Sequence, residues 1–173
     1  MIARKLADYA ESHHYKGYDP YDMLNSPLAG VLSLGTKFGR IALTQLGRRS
    51  PVNFRPLLLI RPGVNPKALA LFLEGTVRLY RSYGEDNDLK RMTQLVQLLA
   101  EMRSPNVSGS AWGYHFPWQN RYQCLPRYTP TIVNSACVCS TADVPGTISR
   151  STFWPISVTL DICVFTLNEK NLN

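Results

Sequence analysis

The strongest constraint on the fold is a helical apolar period. Across Pro66–Tyr83, the residues Leu69, Phe72, Leu73, Thr76, Val77 and Tyr80 recur at i, i+3 and i+4 spacing. That spacing lines one face of an α-helix, whereas a strand needs a period of two. Asn65-Pro66 opens this segment and Gly84 stops it. Met92, Leu95, Val96, Leu99 and Met102 repeat the pattern over residues 89–102, with Asn87 or Asp88 as the expected N-cap. Ile2, Leu6, Tyr9 and Ala10 mark a shorter helix over residues 2–14. Ser26 as N-cap and Pro27 at the first helical position open a further helix running to about Leu46. Its apolar positions are Val31, Leu34, Phe38, Ile41, Leu43 and Leu46, and the interleaved Gly30, Gly35 and Gly39 point to close packing. Residues 53–60 read as one or two buried helical turns.

No stretch through residue 102 alternates with period two, so the expected class is all-α, built of antiparallel helical hairpins with short loops. Periodicity alone does not choose between a bundle, a helical array and part of an α/α toroid. A length of 173 residues fits one domain, and a 45% hydrophobic content is enough for a buried core. The longest aliphatic run, Leu57-Leu58-Leu59-Ile60, is far short of the ~20 residues of a spanning helix, so no membrane span is expected. The first eight residues hold no apolar segment, so no secretory leader and a cytoplasmic location are expected.

Charge is unevenly distributed. From residue 23 to residue 73 there are seven basic residues (Lys37, Arg40, Arg48, Arg49, Arg55, Arg61 and Lys67) and no acidic one, which accounts for the whole net charge of +7. One reading is a surface for phosphates, acidic sugars or nucleic acid. The other is a solvated face with arginines placed at helix C-termini. The cations are spaced rather than clustered and no nucleic-acid motif is present, so nucleic acid is the lesser expectation. Cys124, Cys137, Cys139 and Cys163 form no C-x-x-C pair; they read as reduced, mostly buried thiols. His13 and His14 are adjacent and diverge by ~100° on a helix, so they cannot readily chelate together. No metal and no cofactor is expected.

Residues 103–129 differ from the helical part. Trp112, Tyr114, Phe116, Trp118, Tyr122 and Tyr128 are interleaved with glycine and proline. This reads as an ordered loop, either pinned by its aromatics or offering a platform for sugar rings or bases. His115, Gln119, Asn120 and Arg121 supply polar edges. Beyond Val133 the chain turns to small and β-branched residues, and residues 156–166 are apolar and β-prone.

Five ordered motifs carry a family resemblance. They are Tyr15-Lys16-Gly17-Tyr18-Asp19-Pro20-Tyr21-Asp22, Leu46-Gly47-Arg48-Arg49-Ser50-Pro51-Val52-Asn53, Asn65-Pro66-Lys67-Ala68-Leu69-Ala70-Leu71-Phe72-Leu73, Ser110-Ala111-Trp112-Gly113-Tyr114-His115-Phe116-Pro117-Trp118-Gln119 and Thr129-Pro130-Thr131-Ile132-Val133-Asn134. Together they resemble an uncharacterised prokaryotic group with a six-hairpin-glycosidase-like α/α toroid. Its members often carry the label "delta-aminolevulinic acid dehydratase", a name nothing in these residues supports, and many are associated with surface-polysaccharide genes. The resemblance covers about residues 1–136. It implies a partial α/α toroid over 1–136, followed by a divergent or irregular tail over 137–173.

A complete toroid of six hairpins needs roughly twice this length, since each ~12-residue helix with its loop takes about 25 residues or more. The helix expected after Asn134 is replaced by the Cys/Ser/Thr/Pro segment. A shortened or frame-disrupted chain is therefore expected, with exposed apolar helix faces that favour a homo-oligomer.

The implied activity is carbohydrate-directed: sugar binding, glycoside cleavage or lyase-like chemistry on a polysaccharide. Glycoside cleavage uses two carboxyl groups facing one bond. Asp19 and Asp22 are the candidates, with Glu74 a third, and each has an ordinary structural alternative as a turn, cap or ion-pair residue. His115 is the candidate base for a lyase-like step, with Tyr114 as acid and Arg49 or Arg55 holding a substrate carboxylate. Trp112, Tyr114, Trp118 and Gln119 are the expected substrate contacts. The alternatives are a non-catalytic remnant and a basic, polyanion-binding helical protein.

Overall fold

Proline at the first helical position and glycine just past the last one bound the longest helix. The computed structural model describes residues 2–142, and expectations placed on residues 143–173 lie outside the described residues. Helix α1 spans Ile2–Ser12, α2 Ala29–Leu32, α3 Lys37–Arg49, α4 Pro66–Tyr83, α5 Asp86–Glu101 and α6 Ile132–Ala142, while β1 (Trp118–Gln119) and β2 (Cys124–Leu125) form a two-stranded antiparallel ladder. Among the described residues the chain is mostly helical, in line with the all-α expectation. No helix among them is long and apolar enough to cross a membrane.

The described residues fall into two compact units. The first unit takes residues 2–15, 66–113 and 130–142; the second takes Lys16–Asn65 and Tyr114–Thr129.

In the first unit, α4 packs against α1, α5 and α6. The face of α4 turned to them holds Leu69, Ala70, Leu73, Thr76 and Val77, all buried. Gly84 adopts φ +67°, and its N–H donates to the Tyr80 carbonyl at 2.7 Å, closing the helix. α5 begins earlier than Asn87 or Asp88: Glu85 is the N-cap. Asp86 and Asp88 sit in the first turn, where the helix dipole favours them. Asp88 is also buried and pairs with Arg4 and Arg91, and Arg4 pairs in addition with Glu85. Arg91 is 3% exposed and holds Asp8 and Glu11 of α1 at 2.6 Å each. Glu74 pairs with Arg78 one turn along α4, on the surface.

α6 corrects the expected loss of helix after Asn134. It runs on through the Cys137–Thr141 stretch and packs on α4, with Val138 and Cys139 buried and the Thr141 hydroxyl donating to the Ala70 carbonyl at 3.3 Å. No disulfide forms among Cys124, Cys137 and Cys139. Only Cys139 of these is fully buried; Cys124 is exposed on β2.

In the second unit, the expected helix from Pro27 to Leu46 is broken. Leu34 (φ 51°) and Gly35 (φ 64°) are successive left-handed residues, and the Gly35 N–H donates to the Gly30 carbonyl. α3 then restarts with Thr36 as its cap, whose hydroxyl accepts the Gly39 N–H at 3.0 Å. A Cβ on Gly39 would lie 2.0 Å from the Ser33 carbonyl oxygen, so this glycine permits a tight turn rather than helix–helix packing. A 3-10 turn at Asp22–Asn25 packs on α2 and α3, and Met23, Leu24, Ala29, Leu43 and Ile60 form the core. Residues 53–60 are not buried helix. They form a turn closed by the Ile60 N–H donating to the Arg55 carbonyl at 2.9 Å, with Leu57 and Leu59 exposed. Leu28, Val31, Leu34 and Phe38 also leave apolar surface exposed.

The Arg91 cluster yields a graded prediction. Arg91→Leu strips the buried Asp88 and α1 of a shared cation and should cost about 3 kcal/mol. Asp8→Ala, at a carboxylate 57% exposed, should cost under about 1 kcal/mol. Urea unfolding of the two variants measures both; equal losses would show that the cluster does not hold α1 in place.

Candidate functional site

The second unit gathers most of the residues expected to form a site. Its scaffold is a pair of short extended stretches: the Gly17 N–H donates to the Gly63 carbonyl and the Gly63 N–H to the Gly17 carbonyl, both at 2.9 Å. The loop after Gly17 carries Asp19 and Asp22, and the stretch around Gly63 carries Arg61 and Asn65.

Asp22 is 1% exposed. Its Oδ1 accepts from Arg55 Nε–H at 2.7 Å, and its Oδ2 accepts from the Asp19 N–H at 3.1 Å. Arg55 also donates through Nη2 to the Asp19 carbonyl at 2.8 Å. Asp19 Oδ1 accepts the Tyr21 N–H at 2.9 Å, and its Oδ2 accepts from Asn65 Nδ2–H at 2.8 Å. Every oxygen of both carboxylates is therefore committed to holding the loop. Burial pushes the Asp22 carboxyl above its ordinary 3.8, against the downward pull of the Arg55 hydrogen bond and charge.

His115 packs against Gly63, where a Cβ would fall 2.3 Å from the imidazole Nε2. The absence of that Cβ is what admits the ring. The imidazole meets Phe116 edge to face at 5.0 Å, and its Nδ1 is buried with no hydrogen-bond partner among the described residues. Burial holds the imidazole below its ordinary 6.5, against the charges of Asp19 and Asp22, which pull it upward.

The remaining expected contacts do not share one position. Tyr114, Phe116 and Trp118 form one ring cluster, with Tyr114 to Phe116 at 5.1 Å and Tyr114 to Trp118 at 6.1 Å. Phe116 is its buried member. Gln119 is buried, accepting from Arg40 at 3.3 Å and donating to the Asn120 carbonyl at 2.9 Å. Arg49 is exposed in the last turn of α3. Trp112 belongs to the first unit: it is 1% exposed and its indole N–H donates to the Leu99 carbonyl at 2.7 Å. It is a core anchor, and a sugar has no access to its ring. The expected platform thus resolves into a packed aromatic cluster in one unit and a buried tryptophan in the other.

A groove of about 550 Å³ opens on the same unit, lined by Tyr18, Pro27, Pro56, Pro62 and the Leu59-Ile60-Arg61 run. That volume is in the usual range for a ligand pocket. Its walls are held by the network just described, because Tyr18 adjoins Asp19, Pro56 follows Arg55 and Pro62 precedes Gly63. The Ser26 hydroxyl adds a bond to the Leu58 carbonyl at 2.7 Å. Arg55 stacks over the Tyr18 ring at 5.7 Å. The sequence gives Tyr18, Arg61 and Asn65 no individual site role: Tyr18 lies in a motif, Arg61 is one of seven spaced cations, and Asn65 opens a helix. Among the described residues no cluster of His, Cys, Asp or Glu could hold a metal ion.

The half-buried imidazole gives a pH prediction. Below 6.5 the unfolded chain takes up a proton at His115 that the folded chain, with its lowered value, does not. Stability at this residue therefore falls as pH drops from 6.5 toward the folded value and is regained as pH rises again. Replacing it in His115→Gln should flatten the urea-midpoint profile over that window, whatever the variant's stability at neutral pH. A slope identical to that of the unaltered chain would exclude His115 as its source.

Comparison with protein-family models, with curated proteins and with solved structures returns no match.

Proposed function

We propose that the second unit is a carbohydrate-binding module that does not itself cut glycosidic bonds. The observation that carries this reading is the groove beside Tyr18, a single tyrosine ring among proline and leucine faces with one guanidinium at the wall. CH-rich walls and a ring suit the flat apolar face of a pyranose, and a lone charged group fixes orientation. The binding half of the carbohydrate expectation gains this support.

The cleaving half gains none. Hydrolysis at a carboxyl pair needs both groups turned to one bond, with room for substrate. Asp22 is buried against Arg55, and both oxygens of Asp19 are bound by Asn65 and the Tyr21 N–H. These two carboxylates and His115 act in this reading as positioning groups behind the groove wall. The proposal retains the resemblance to the six-hairpin-glycosidase-like group. The α4–α5 pair, joined by only Gly84 and Glu85, is the clearest helical hairpin of such an architecture.

Titration calorimetry of the full chain against a panel of neutral and acidic oligosaccharides tests the reading. At least one glycan should bind. Tyr18→Ala should weaken it by about tenfold, the loss of one stacked ring contact, with circular dichroism confirming the fold. Reducing-end assays should detect no cleavage. Failure of every glycan to bind would overturn the proposal, and cleavage lost in Asp22→Asn would overturn its non-hydrolytic part.

A further inference from the structure

We infer that the second unit takes glycan chains bearing carboxylates, with Arg61 pairing to the carboxylate in the groove. This rests on the carbohydrate reading and names the class of sugar. The first argument is the partition of charge. Lys16–Asn65 and Tyr114–Thr129 together hold nine lysines and arginines and only two acidic residues, Asp19 and Asp22. This unit therefore carries +7, the net charge of the entire chain, and the rest of the sequence is balanced.

The second argument is which cations are already engaged. Arg55 is held by Asp22 and the Asp19 carbonyl. Arg40 donates to Gln119 and to the Gly35 carbonyl, and Arg48 lies over the Tyr21 ring. Arg61 is exposed, lines the groove and pairs with no carboxylate among the described residues. A guanidinium presents paired N–H donors in the plane that a carboxylate accepts, and its strength grows beside apolar walls. Cations elsewhere on the unit extend the attraction along a chain longer than the groove.

The third argument separates this ligand from nucleic acid, the other common polyanion. Single strands gain affinity by stacking bases on successive exposed aromatic rings. The groove offers Tyr18 alone, and its other faces, Pro27, Pro56, Leu59 and Pro62, present CH groups. Tyr114 is stacked on Phe116 and tilted against Trp118. Such walls match the CH face of a pyranose better than a run of bases.

The test is calorimetry of the full chain with three probes: oligogalacturonate, its methyl ester, and single-stranded DNA of similar length, each at low and physiological salt. The ester keeps every ring and removes the charge. The acid form should bind at least about tenfold more tightly than the ester, and its affinity should fall with salt. Arg61→Ala should erase the difference between acid and ester, and Arg61→Lys should restore part of it. Equal binding of acid and ester would overturn this inference while leaving the carbohydrate reading intact. An acid preference that survives Arg61→Ala would overturn the role of Arg61. Binding of neither glycan would overturn this inference, with the wider oligosaccharide panel deciding the carbohydrate reading separately, and tighter binding of DNA than of the acid would reassign the surface to nucleic acid.

Discussion

The second unit is organised by one buried ion pair, Arg55 with Asp22. A carboxylate at 1% exposure is costly unless a cation and further donors meet it. The fork of Arg55 meets that need and also reaches the Asp19 carbonyl, so one side chain fixes the loop after Gly17 from two directions. Because Arg55 begins the 55–60 turn, the same contact sets that turn against the loop. The groove walls are parts of these two segments. The first unit solves a similar problem with Arg91, which binds carboxylates from its own helix and from α1. In both places an arginine joins segments distant in sequence, and its guanidinium makes several directed bonds where a lysine would offer a point charge.

Helical periodicity made α4 legible to the residue. Proline at its start and glycine at its end are local signals, and its apolar stripe is continuous. The break between α2 and α3 was hidden because Leu34 gives no warning of a left-handed backbone, and Gly35 and Gly39 suit close helix packing equally well. α6 was hidden for the opposite reason. Its cysteines, serines and threonines are mediocre helix formers, each costing roughly 0.5 kcal/mol against alanine. Packing on α4 through Val138, Cys139 and Thr141 overrides that preference.

The site was legible in its membership more than in its roles. Asp19, Asp22, Arg55 and His115 fall in one unit. Whether a carboxylate faces a substrate or a backbone N–H depends on partners tens of residues away. Asp19 and Asn65 are 46 positions apart and Asp22 and Arg55 are 33 apart, separations at which no periodic pattern operates. Arg61 stood in the sequence as one of seven spaced cations, with nothing local to set it apart from the others. Trp112 misled because glycine and proline neighbours suggest a surface loop, while its indole N–H found a buried carbonyl one helix end away.

The two units are interleaved along the chain, and this has a consequence for synthesis. Residues 16–65 emerge from the ribosome well before residues 114–129, which complete the same unit. Gly63 waits for His115, and Arg40 waits for Gln119, across more than fifty residues of intervening chain. At about 5–20 residues per second that delay lasts several seconds. Throughout it, Leu57, Leu59 and Phe38, exposed even in the finished fold, stand beside an incomplete core. The nascent protein is thus most exposed to misassociation midway through translation, when chaperone cover matters most.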